Sequence, residues 1–149
     1  AVLAGVLFVF FLFGTIFVQG ASVFRQAYIQ LEVDYDPATV DPSGARRLDD
    51  LYTADYQSLV RESLRRRFPE VEGRSNLRKL YALASGAASL ELQRRVIADP
   101  TLIGRTEKVW VLADDAVDML LKGATPRDAA EDVRRLSDDQ VAWIDALVA

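Results

Sequence analysis

The sequence predicts an α+β chain: one N-terminal transmembrane helix followed by a mostly helical soluble domain with a small two- or three-stranded sheet. Three observations predict it. Ala1–Val18 is an eighteen-residue run with no charge and a single hydroxyl. Two short segments, near residues 28–35 and 108–113, have strand character, and the rest of the chain repeats its apolar residues at helical spacing. The predicted organisation is a membrane helix over 1–25 and an extracytoplasmic accessory domain over 26–149, in which 36–50 is an exposed connector.

The first element is set by length. At ~1.5 Å per residue, Ala1–Val18 spans about 27 Å as a helix, close to the hydrocarbon thickness of a bilayer. Phe8, Phe10, Phe11, Phe13 and Phe17 point to every side of it, which is not the pattern of an amphipathic helix with one partner face. The first charge is Arg25, so Gln19–Phe24 can carry the helix on through the headgroup layer. A cleaved signal peptide would start basic and have a shorter apolar run, although Gly20, Ala21 and Ser22 are small enough for a cleavage site. A buried core helix would need a larger protein around its five phenylalanines.

Composition narrows the function. With no cysteine and no histidine, the chain has no disulfides, no thiolate chemistry, no Ser-His triad and none of the usual zinc sites. The net charge of −4 argues against nucleic acid as a partner. The chain opens on Ala1 and closes at Leu147-Val148-Ala149 in mid-pattern, as a piece of a longer protein would.

In Tyr28–Tyr35 the apolar residues Ile29, Leu31, Val33 and Tyr35 alternate with polar ones, as in a half-buried strand. Asp36-Pro37 ends it, and Asp41-Pro42-Ser43-Gly44 is a second turn. Asp55–Phe68 reads as an amphipathic helix with Tyr56, Leu59, Val60, Leu64 and Phe68 inward, Thr53 as N-cap and Pro69 as its end. Ser75 is expected to cap Asn76–Ala84, with Leu77, Leu80, Tyr81 and Ala84 inward and Gly86 as the C-cap. Ala88–Ala98 resumes as a helix carrying Leu92, Val96 and Ile97. Lys108–Ala113 is nearly all apolar and is expected to be a more buried strand than the first. Asp114–Lys122 is a short helix ended by Gly123, and Thr125–Asp128 a turn or a new helix start. Ser137-Asp138-Asp139-Gln140 is a capping box before Val141, Ile144, Leu147 and Val148.

Candidate chemistry is sparse. Asp114, Asp115 and Asp118 have the D-D-x-x-D spacing that can hold a divalent cation, but acidic residues also favour a helix start. Asp34, Asp36 and Asp41 crowd one turn and lack the central glycine and terminal glutamate of a calcium loop. Arg65-Arg66-Arg67 and the pairs Arg46-Arg47, Arg94-Arg95 and Arg134-Arg135 suit anions. They are interleaved with carboxylates, with Glu62–Arg66 and Glu131–Arg135 at pairing distance along a helix, and read as solvated faces. Trp110 and Trp143 read as core or interface anchors. No catalytic constellation, cofactor site or metal site emerges, so the expectation is a chain without enzymatic activity. The one enzymatic alternative, a metal-dependent phosphatase, would centre on Asp114.

Four blocks carry a resemblance: AYIQLEVDYDPATVDP from residue 27, DYQSLVRESLRRRFPEV from 55, VIADPTLIGRTEKVWVLADDAVDMLLKG from 96 and RRLSDDQVAWIDAL from 134. With the leading apolar helix they resemble the N-terminal portion of a proteobacterial subgroup of PstA-type phosphate ABC transporter permeases. In that subgroup a domain is inserted between the first membrane helix and the permease core. The resemblance implies a bacterial inner-membrane protein, with a cytoplasmic N-terminus and residues after about 25 in the periplasm. It further implies three protein partners: a second permease subunit, a cytoplasmic ATPase subunit and a periplasmic phosphate-binding protein. The family's coupling loop and translocation helices have no counterpart in this stretch, so the resemblance assigns no catalytic or phosphate-binding residue. It implies a soluble domain that docks the phosphate-binding protein or braces the partner permease. The alternative is a single-pass extracytoplasmic sensory or ligand-binding module unrelated to transport.

Overall fold

The computed structural model describes residues 1–21 and 25–148. The first helix, α1, covers Val2–Ala21 and none of its residues is buried. The expected continuation of that helix through Phe24 lies outside the described residues.

The soluble part is built on one antiparallel ribbon. Strand β1 (Tyr28–Asp34) pairs with β2 (Thr106–Leu112), from Tyr28 opposite Leu112 to Asp34 opposite Thr106. Side chains alternate across the ribbon, so Ile29, Leu31, Val33, Val109 and Val111 share the buried face. The same alternation turns Trp110 outward, leaving it 53% exposed. The second strand is thus no more buried than the first: its apolar run hides a period of two. Ala84 adds an isolated bridge to Ala113, so the sheet has two strands and a single-residue extension.

Apart from the Ala84 bridge, the regular elements between the strands are helices joined by short loops. α2 (Pro37–Val40) starts on Asp36, whose carboxylate accepts from the Ala38 amide. α3 covers Leu48–Thr53. The stretch 36–50 is therefore not a wholly exposed connector. Val40 is fully buried and Asp41 nearly so, because the Asp41 carboxylate turns inward to accept from the Arg46 amide.

α4 (Tyr56–Arg67) begins two residues later than a Thr53 cap would set it. Asp55 is the N-cap, accepting from the Ser58 amide, while Thr53 closes α3. Its inward residues Tyr56, Leu59, Val60, Leu64 and Phe68 are all buried as expected. α5 (Arg74–Tyr81) starts on Gly73 at φ 88°, so Ser75 lies inside the helix. Gly86, at φ −57°, stands at the N-terminus of α6 (Ala87–Ala98) and does not end the helix before it. A short 3-10 turn, Pro100–Leu102, leads into β2.

After the ribbon come α7 (Asp115–Leu121), α8 (Glu131–Arg134) and α9 (Asp138–Val148). The capping box forms as predicted: the Ser137 amide donates to Gln140 Oε1, and the Gln140 amide to Ser137 Oγ. The Gln140 amide nitrogen also donates to the Lys79 carbonyl, which ties α9 to α5. α4 and α9 cover the buried ribbon face, and α6 packs against α4 and β2. The core is one cluster running from Ile29 to Leu147. Trp143 sits half-buried at its rim, its ring 6.1 Å from that of Phe68.

Candidate functional site

Two acidic motifs with metal-binding spacing resolve into structural roles. Asp114 caps α7 by accepting from the Ala116 amide. Asp118 accepts from the Ala27 amide at 2.7 Å and pairs with Lys122, joining the start of β1 to α7. Asp115 stays exposed in the first turn. Asp36 and Asp41 hold their own loops as described, and Asp34 lies 3.8 Å from Arg66. Among the described residues, no group of three or more acidic residues converges to hold a metal ion.

The arginine clusters divide sharply. Arg65 pairs with Glu62 three residues back, and the expected Glu62–Arg66 pair gives way to Arg66 donating to the Glu32 carbonyl. Arg67 donates to the Ala146 carbonyl of α9. Arg95 pairs with Glu107 of β2, bridging α6 to the ribbon. Next to this pair lies the fully buried Tyr35 hydroxyl, which has no well-aligned hydrogen bond. Burial, with the Glu107 charge second, pushes the Tyr35 hydroxyl above the usual tyrosine range.

Arg134 is not on a solvated face. It is 5% exposed and donates to the carbonyls of Leu136 and Arg127 and to Asp138. Its neighbour Arg135 is exposed at φ 59°, in the left-handed region, and forms no ion pair with Glu131 among the described residues.

The arrangement most suited to a partner lies elsewhere, between α4 and α5. Arg61, Arg74 and Arg78 line a groove of about 500 Å3 with Gly73, Leu77 and Tyr81. The Arg61 guanidinium stands 5.4 Å over the Tyr81 ring, within cation–π range. No carboxylate lines the groove, and among the described residues none of these three arginines has an ion pair. A second hollow of about 530 Å3 shares Gly73 and Leu77 with the first and adds apolar Phe68, Pro69 and Val71 beside the charged Glu62, Glu72, Arg65 and Arg66. The two hollows adjoin at Gly73 and Leu77 and make one trough, cationic on the Arg61, Arg74 and Arg78 side and of mixed charge on the other.

The charge is local. Residues 61–79 hold seven basic and three acidic residues, net +4, on a chain whose remaining residues hold eleven basic and nineteen acidic, net −8. Arg74 and Arg78 are four apart on one helix, an arrangement that costs a few tenths of a kcal/mol unless an anion offsets it. The sequence holds a signal for this site that the arginine runs obscured. Neither Arg61, Arg74 nor Arg78 has a carboxylate three or four residues away within its helix.

A family model described as a domain of unknown function (DUF3333) matches residues 1–131. No curated protein and no solved structure matches the chain. The match takes in α1, both strands, the helices between them and α7, and ends before α9. The chain belongs to the DUF3333 family.

Proposed function

We propose that this chain is the membrane-anchored docking domain of the permease subunit of an ATP-driven phosphate importer. In this reading α1 crosses the bacterial inner membrane and the residues after about 25 lie in the periplasm. There they dock the phosphate-binding protein or brace the second permease subunit, while a separate cytoplasmic subunit hydrolyses ATP. The observation that carries the anchoring is the contrast between α1, none of whose residues is buried, and a soluble part whose core is complete without it. The four sequence blocks supply the link to phosphate permeases. The trough between α4 and α5 supports docking over chemistry: its unpaired guanidiniums suit an acidic segment of a partner protein.

The test is phosphate uptake by the full-length permease with residues 36–137 removed in frame. Docking predicts slower uptake and weaker affinity for the phosphate-binding protein. Unchanged uptake with unchanged affinity would overturn it. Topology has its own test, because the chain has no cysteine. Ala45 is exposed, so an Ala45→Cys variant labelled from the periplasmic side by a membrane-impermeant maleimide supports the proposed orientation. Labelling only after the inner membrane is opened refutes it.

A further inference from the structure

The outer face of the ribbon changes character along its length. At the end joined to α1 it presents Tyr28, 48% exposed, and Trp110, 53% exposed, which stands opposite Gln30. At the far end it presents Glu32 opposite Lys108 and Asp34 opposite Thr106. At ~3.4 Å per residue the face runs about 20 Å from Tyr28 to Asp34, with Trp110 about 7 Å from Lys108 along β2. Met119, 41% exposed, lies on α7, which the Asp118–Ala27 hydrogen bond holds at the aromatic end. Arg25, also exposed, precedes that end in the chain.

Among the described residues none covers the exposed half of these rings, and their location names the occupant. From Ala21 to Tyr28 the chain reaches at most about 25 Å, even fully extended. An α1 that spans the bilayer therefore keeps the aromatic end of the ribbon, to which it is joined, within about 25 Å of the point where α1 leaves the membrane. Tyr and Trp are the side chains that partition into that layer, with an apolar ring and a polar tip. A cationic Arg25, exposed and three residues before Tyr28 in the chain, complements anionic headgroups.

We infer that the Tyr28–Trp110 end of the ribbon rests in the headgroup layer of the bilayer that α1 crosses. This contact restrains the tilt of the soluble domain and leaves the α4–α5 trough free for a protein partner. The inference depends on α1 spanning the membrane, and the experiment separates the two.

The full chain is reconstituted into phosphatidylcholine–phosphatidylglycerol liposomes, with and without bromine near the top of the acyl chains. Trp110 and Trp143 are the only fluorophores of their kind. Trp143 packs on Phe68 at the core rim and serves as the unquenched reference. The expected result is a loss of roughly a third of the tryptophan emission in brominated liposomes, absent in Trp110→Phe. Replacing one outward ring by another leaves the core untouched. Liposome flotation is measured on the same samples. Co-flotation with no quenching of Trp110 overturns the inference and leaves the anchoring intact. Failure to float overturns the anchoring, and the inference with it.

Discussion

Arg134 and Arg135 are adjacent, identical in chemistry and opposite in expected effect. The Arg134 guanidinium donates from Nε to the Leu136 carbonyl at 2.8 Å and from Nη1 to the Arg127 carbonyl, closing the loop between α7 and α9. Its third partner, Asp138, is 90% exposed, so that ion pair adds little. Two charge-assisted bonds to carbonyls at ~1.5 kcal/mol each give about 3 kcal/mol for Arg134→Ala. Arg135 makes no such bonds and sits at φ 59°, where a Cβ is strained. Arg135→Gly relieves that strain and should stabilise by about 1 kcal/mol. The assay is urea unfolding of the full chain in a mild non-ionic detergent, followed by tryptophan emission. With an m-value of about 1.5 kcal/mol/M, the midpoint falls by about 2 M for Arg134→Ala and rises by about 0.7 M for Arg135→Gly. A fall of under about 0.5 M for Arg134→Ala would refute the clamp. So would an equal fall for Arg135→Ala.

Three further predictions use the same preparation. Tyr35→Phe removes a buried hydroxyl that has no well-aligned hydrogen bond, so stability should hold or rise by about 1 kcal/mol; a comparable loss would show that its contact with Arg95 is a working hydrogen bond. The bidentate contact from Arg127 holds the Asp145 carboxyl below its ordinary value of 3.8. Because the folded value is the lower one, the pair stabilises above 3.8 and loses its contribution as pH falls through the folded value. Asp145→Asn should thus be less stable at neutral pH, with the gap closing in acid. In the trough, the triple variant Arg61→Glu, Arg74→Glu, Arg78→Glu should bind a synthetic Glu- and Leu-containing peptide at least about tenfold more weakly at low salt. Equal anisotropy titrations for both proteins would remove the trough as a docking surface.

What was legible in the sequence follows from the range of the forces involved. The α4 face, the Ser137–Gln140 box and the alternation of β1 are written within a few residues of one another, and each appears as read. The helix starts were harder, because Thr53 and Asp55 are both competent caps and the choice depends on where α3 ends. Asp55 wins by accepting from Ser58. The apolar run of β2 concealed an outward Trp110, since only pairing with β1 decides which residues face the core.

By itself the sequence determined that a long apolar helix precedes a mixed α+β domain. Uninterrupted hydropathy and the periods of helix and strand are properties of neighbouring residues. Tertiary structure alone decided which arginines matter. Arg134 is buried because a loop brings the Arg127 and Leu136 carbonyls to its guanidinium. Arg61 and Arg78 share a groove because α4 and α5 fold against each other across the turn at Gly73. Charge is visible in a sequence, but burial and convergence are made by contacts between segments far apart in the chain.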